Sequence, residues 1–192
     1  GLLANKTQLM EVYFRCNFIR KIPENLFEGS TAIVDIKLDQ NELEVLPDEL
    51  FKDQVKLERL DLSMNFLTEL TEEIVLNTEA LNELKLSNNR ISKISKYTFQ
   101  KLKKLTDLYL GNNQLTMLDP KTFEGLSSLI FLDLQNNQIT FEIGSIEGMT
   151  YESASRFAGL SNLEQLNLQN NSITSLFEDF TLTNLRMLNL SH

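Results

Sequence analysis

Cysteine and histidine are almost absent from this chain: one of each occurs in 192 residues, and the histidine is the last residue, His192. That inventory excludes the commonest routes to catalysis. One thiol and one terminal imidazole cannot assemble a nucleophile, a base and a third group that orients the base. No metal-ligand spacing, glycine-rich phosphate loop or hydroxyl-nucleophile motif is present. The expectation is a protein that is not an enzyme and carries no cofactor. Carboxylate pairs such as Glu72-Glu73 read as solvated surface charge. Cys16 cannot form an internal disulfide, so its thiol is either unpaired or engaged between molecules.

Basic charge is also in deficit. With 18 Lys and Arg against 27 Asp and Glu the formal net charge is −9, the wrong sign for releasing counterions from a nucleic acid. No nucleic-acid partner is expected. Three prolines and seven glycines are spread thinly, so no linker divides the chain. Neither a signal peptide nor a transmembrane run is present, which says nothing about a longer parent protein.

What the chain has in abundance is a frame. Seven units follow one pattern, from Leu9-x-x-Val12-x-Phe14-x-x-Asn17-x-Ile19 through Leu57-Leu60-Leu62-Asn65-Leu67 to Leu163-Leu166-Leu168-Asn171-Ile173. An eighth begins at Leu185-Leu188-Leu190. From Asn17 to Asn137 the frame asparagines recur every 24 residues. This is the leucine-rich repeat signature, LxxLxLxxNxL. It predicts an α/β repeat: a curved solenoid with a parallel β-sheet on the concave face and irregular or short helical segments on the convex face. In each short strand the fourth and sixth positions point inward and the fifth outward. The asparagine, where the chain turns, both donates to and accepts from backbone groups that the turn leaves unpaired, so stacked units form a ladder. A bulky residue at position nineteen (Phe27, Phe51, Val75, Phe99, Phe123, Phe157) predicts a buried spine.

A solenoid grows linearly, so residues 1–192 read as a single domain of about seven full repeats, with partial ones at both ends. Open ends expose apolar core, and neither end carries a cysteine-rich cap; the expectation is an internal segment of a larger protein. Two departures break the period. Asn137 and Asn171 are 34 residues apart, and the surplus places a loop insertion at 141–155, either a binding element or a tolerated surface loop. The following unit is short, with Phe177 and Phe180 displaced from the spine position. Asn5-Lys-Thr7, Asn170-Asn-Ser172 and Asn189-Leu-Ser191 fit the N-glycosylation acceptor pattern. Together with the 24-residue step they favour an extracellular location.

What remains is a binding scaffold. The outward strand positions read Tyr13, Lys37, Asp61, Lys85, Tyr109, Asp133, Asn167 and Asn189 at the fifth place. At the third they read Glu11, Asp35, Arg59, Glu83, Asp107, Phe131, Gln165 and Met187. The concave-face contact residues expected for a protein partner are Tyr13, Lys37, Arg59, Lys85, Tyr109, Ile130 and Phe131. Tyr109 and Phe131, diagonal neighbours, are either interface anchors or side chains packed on one another.

The opening Leu2-Leu-Ala-Asn-Lys-Thr-Gln-Leu9, the regular units and the irregular end resemble the ectodomain of insect Toll receptors. In that end an insertion precedes Leu166-Asn-Leu-Gln-Asn-Asn-Ser-Ile173, then a short unit with aromatics leads to Leu188-Asn-Leu-Ser191. The resemblance implies the ligand-binding part of a single-pass, membrane-anchored cell-surface receptor. Its ligand would be a cystine-knot cytokine of the Spätzle type, with signalling through receptor association. It carries over no ligand-contact residue, because no ligand-specific motif is there to match. A soluble secreted leucine-rich immune factor and an adhesion or matrix protein are the other readings of the same scaffold.

Overall fold

The computed structural model describes residues 1–140, 156–174 and 182–192. The insertion at 141–155 and the displaced Phe177 and Phe180 lie outside the described residues. Among the described residues there are ten short strands: β1 (Glu11–Tyr13), β2 (Asp35–Lys37), β3 (Arg59–Asp61), β4 (Glu69–Leu70), β5 (Glu83–Lys85), β6 (Lys93–Ile94), β7 (Asp107–Tyr109), β8 (Phe131–Asp133), β9 (Gln165–Asn167) and β10 (Met187–Asn189). Eight of them form one parallel sheet in the order β1-β2-β3-β5-β7-β8-β9-β10.

The frame sets the register. Ile36 pairs with Leu60, Leu60 with Leu84, Leu84 with Leu108 and Leu108 with Leu132. A slip of one residue would turn each of these leucines to water, so burial alone specifies the alignment. The alignment also survives the long step, because Leu132 pairs with Leu166 and the ten surplus residues leave the sheet undisturbed. The inward leucines from Ile36 to Leu168 are essentially inaccessible, and they belong to one continuous core. At β10 the inward Leu188 is 44 % exposed, because no further turn covers it among the described residues.

The convex side is irregular, as the frame predicts. Its helical content among the described residues is one four-residue helix, α1 (Glu72–Val75), and turns do the rest. Glu72 and Glu73 are exposed in its first turn. A second, two-stranded parallel sheet joins β4 to β6, a pairing that the frame does not announce. The position-nineteen spine is buried. Phe27 stacks on Phe51 at 5.8 Å, Phe99 on Phe123 at 6.2 Å and Phe123 on Phe157 at 6.1 Å, with Val75 interrupting the column.

From Asn41 onward each frame asparagine binds the backbone of the preceding turn rather than its asparagine neighbour. Nδ2 of Asn113 donates to the carbonyl of Leu86 one repeat back and to that of its own Leu110, both at 3.0 Å. Its Oδ1 accepts the N–H of Ile91 at 3.0 Å. The same three bonds recur at Asn41, Asn65, Asn89, Asn137 and Asn171. Immediately before each frame asparagine the backbone is left-handed, with φ between 50° and 58° at Cys16, Gln40, Met64, Asn88, Asn112, Asn136 and Asn170. Asparagine tolerates that conformation better than other non-glycine residues, which gives the Asn-Asn doublets of the later repeats a physical reason. The doublets build a second ladder on the surface: Nδ2 of Asn136 donates to Oδ1 of Asn112, and Nδ2 of Asn170 to Oδ1 of Asn136, each at 2.8 Å.

Asn113→Ala leaves the buried Ile91 N–H without its acceptor and takes one of two asparagine donors from each of the Leu86 and Leu110 carbonyls, which keep Asn89 and Asn137, and about 1–3 kcal/mol of stability is expected to go with them. Asn17 is exposed and bonds only within its own turn, to the carbonyls of Phe14 and Arg15, so Asn17→Ala should cost less than about 1 kcal/mol. Denaturant unfolding of the two variants checks the contrast.

Candidate functional site

Two clusters occupy the solvent face of the sheet. In the first, the carboxylate of Asp35 on β2 is buried beneath three donors from three strands. Its Oδ2 lies 3.0 Å from Nε of Arg59, 3.8 Å from Nζ of Lys37 and 3.4 Å from the Tyr13 hydroxyl. That hydroxyl donates more closely to Glu11, at 2.7 Å, and Lys37 sits over the Tyr13 ring at 4.7 Å. Tyr13, Lys37 and Arg59 are thus brought together, around a carboxylate that the sequence left outside the expected set. The signal that could have found it is the two-residue spacing to Lys37, which puts both on one face of the strand.

The second cluster is central. Tyr109 on β7 and Phe131 on β8 approach to 5.1 Å between ring centroids, tilted by 44°. Lys85 on β5 lies 5.5 Å from the Tyr109 centroid and 2.9 Å from the Glu83 carboxylate. Ile130, 41 % exposed, borders Phe131. Each cation–ring contact contributes only about 0.5–1 kcal/mol at such exposure. These contacts orient side chains; the fold does not depend on them. The rings pack on one another and remain half-exposed, so packing and presentation are compatible.

Not every outward position reaches outward. Asp133 is buried because its carboxylate caps its own turn, accepting the Gln135 N–H at 3.1 Å and the Asn167 amide at 3.1 Å. Asp61, Asn167 and Asn189 likewise accept the N–H two residues on. The fifth column therefore divides into turn-capping residues and four side chains that do not cap a turn, Tyr13, Lys37, Lys85 and Tyr109. The charges of the column pair along their own strands, Lys37 with Asp35 and Lys85 with Glu83.

These arrangements shift ionisation. The Tyr13 phenol is pushed up to about 12, chiefly by its hydrogen bond to Glu11, then by burial and the charge of Asp35. Tyr109 is raised by burial first, then by the carboxylates of Asp107 and Glu83, with Lys85 opposing. Burial works against the charge of Lys85, but its hydrogen bond to Glu83 and the charge of that carboxylate outweigh it, so its value rises. Burial raises Asp133, against the lowering effect of its Gln135 and Asn167 bonds. Among the described residues no group of three or more His, Cys, Asp and Glu is placed to hold a metal ion. No helix among them is long and apolar enough to cross a membrane.

A leucine rich repeat model matches residues 7–67 and 79–139, and a second leucine rich repeat model matches 162–182. The chain belongs to the leucine-rich repeat family. Comparison with curated protein sequences gives no match. Among solved structures, 97 % of this leucine-rich repeat chain superposes on Toll from the Drosophila Toll–Spätzle complex, with 33 % identity and a TM-score of 0.87. The chain spans 25 % of the length of that Toll chain. An internalin (inlF) from Listeria monocytogenes matches over 96 % of this chain and 48 % of its own, at 26 % identity and a TM-score of 0.69. TLR13, in a complex with ssRNA13, matches over 97 % of this chain and 30 % of its own, at a TM-score of 0.71. At 24 % identity that likeness conveys the fold alone.

The acceptor asparagines fall in three settings. Asn5 is exposed in a left-handed turn, and Asn170 is exposed within the surface ladder. Asn189 is half-buried on the sheet face, its Nδ2 donating to Gln169 at 3.2 Å and its Oδ1 accepting the Ser191 hydroxyl at 2.6 Å. Cys16 is exposed, its Sγ 3.3 Å from Oε1 of Gln40.

A raised phenol is neutral in the folded state at pH values where it would ionise in the unfolded chain. The Tyr13 contribution to stability is therefore complete below about pH 10 and lost as pH rises through about 12. Ultraviolet titration should show one tyrosine with a midpoint near 12 that Tyr13→Phe removes and Glu11→Gln brings down towards the ordinary value.

Proposed function

We propose that this chain is part of the extracellular ectodomain of a Toll-type receptor, one continuous solenoid over residues 1–192 that binds a protein ligand through its concave sheet. The ligand on this reading is a cystine-knot cytokine of the Spätzle type, and binding acts by bringing membrane-anchored receptors together. The observation that carries the proposal is the likeness to Toll at 33 % identity over 97 % of the chain, from a structure of Toll with Spätzle. The sheet face adds local support. Its side chains that do not cap a turn are aromatic and cationic, the types that anchor protein interfaces, and they are held on short strands by hydrogen-bonded turns. A net charge of −9 disfavours a nucleic-acid partner, and the residue inventory disfavours catalysis.

The contact set is Tyr13, Lys37, Arg59, Lys85, Tyr109, Ile130 and Phe131, and Asn5 and Asn170 carry glycans. In a Tyr109→Ala, Phe131→Ala double variant, affinity for Spätzle measured by surface plasmon resonance should fall by roughly tenfold or more. Unchanged affinity would remove these two rings from the interface. Peptide mapping by mass spectrometry should find Asn5 and Asn170 glycosylated. A glycan on Asn189 would instead project from the sheet and take the C-terminal end of that face out of the contact.

A further inference from the structure

Asp107 differs from the other carboxylates at the centre of the sheet face. Glu83 is committed to Lys85, and Asp133 is buried in its own turn. Asp107, half-buried, accepts a hydrogen bond from the Thr106 hydroxyl at 2.7 Å, and among the described residues no cation lies within 4.0 Å of it. Its register partner on β8 is Phe131, and Tyr109 follows two residues later on the same face of β7. A carboxylate with no ion-pair partner among the described residues thus stands directly across the strand pair from a half-exposed aromatic ring. Lys85, beside the ring pair, leans on Tyr109 and is bound to Glu83. The local charge, Asp107, Glu83 and Asp133 against Lys85, is negative, as is the chain as a whole.

We propose that Asp107 and Phe131, bounded by Tyr109 and Ile130, receive an arginine side chain from the protein partner, the guanidinium stacking on Phe131 while its N–H groups bond the Asp107 carboxylate. A planar, weakly hydrated guanidinium satisfies both walls at once, whereas an ammonium offers a point charge and no plane to stack. Ile130 would cover the methylene stem. The inference rests on the reading of this face as a protein-contact surface, and it specifies the chemistry of the partner there.

Its test is a random dodecapeptide library displayed on phage and panned against the purified chain. Selected peptides should carry arginine. Replacing that arginine by citrulline, which keeps the shape and loses the charge, should weaken binding roughly tenfold, and replacing it by lysine severalfold. Asp107→Asn in the chain should cause the same loss as citrulline, and the two changes together should cost no more than either alone. Phe131→Leu, which keeps the position apolar, should reduce the preference for arginine over lysine. Peptides without arginine, no selected peptide at all, or additive effects of citrulline and Asp107→Asn would overturn the assignment. A parallel titration with Spätzle separates the two claims. Binding by the parent chain that Asp107→Asn leaves unchanged removes the arginine site and keeps the cytokine reading. Arginine peptides that bind where Spätzle does not would do the reverse.

Discussion

One side chain per turn couples this solenoid along its length. From Asn41 onward the amide of each frame asparagine closes its own turn and fastens it to the previous turn through a carbonyl and an N–H, with every distance near 3.0 Å at Asn65, Asn89 and Asn113. Those backbone groups are buried and have no strand partner, so leaving them unpaired would cost about 1–3 kcal/mol each. No apolar residue of that size offers both a donor and an acceptor. The asparagine is therefore the position at which a repeat cannot drift, and Asn171 makes the same bonds across the 34-residue step.

With the turn and the inward leucines fixed, the solvent side of each strand is free to vary. The structure shows how that freedom is divided. Asp61, Asp133, Asn167 and Asn189 turn back to cap the N–H two residues on, while Tyr13, Lys37, Lys85 and Tyr109 stand clear. The standing side chains lean on carboxylates and rings of their own face, which limits the conformational entropy that a partner would have to remove on binding. A scaffold displaying oriented aromatics is physically suited to protein recognition.

The fold was legible because its determinants are local and repeat. Leu60, Leu84 and Leu108 each follow the same neighbours at the same spacing, and burial then leaves one register open. Less was legible where the cause is a partner from another repeat. Asp35 looks like any outward acid until Arg59, 24 residues on, reaches over it, and Asp133 looks exposed until Asn167 arrives across a 34-residue step. The β4–β6 pairing is hidden for the same reason, since Glu69-Leu70 and Lys93-Ile94 carry no strand pattern of their own. The left-handed turn was written in the Asn-Asn doublets but disguised at Cys16, Gln40 and Met64, which adopt the same φ without the favourable side chain. The diagonal Tyr109–Phe131 contact needed only the strand frame, and it formed where the frame placed it.

The central functional claim is that a protein ligand of the Spätzle type contacts the middle of the sheet face. Hydrogen–deuterium exchange of the chain with and without Spätzle tests it directly. New protection is expected in the peptides that carry β5, β7 and β8, with the convex turns unchanged. Protection confined to the convex turns, or none at saturating ligand, would contradict it.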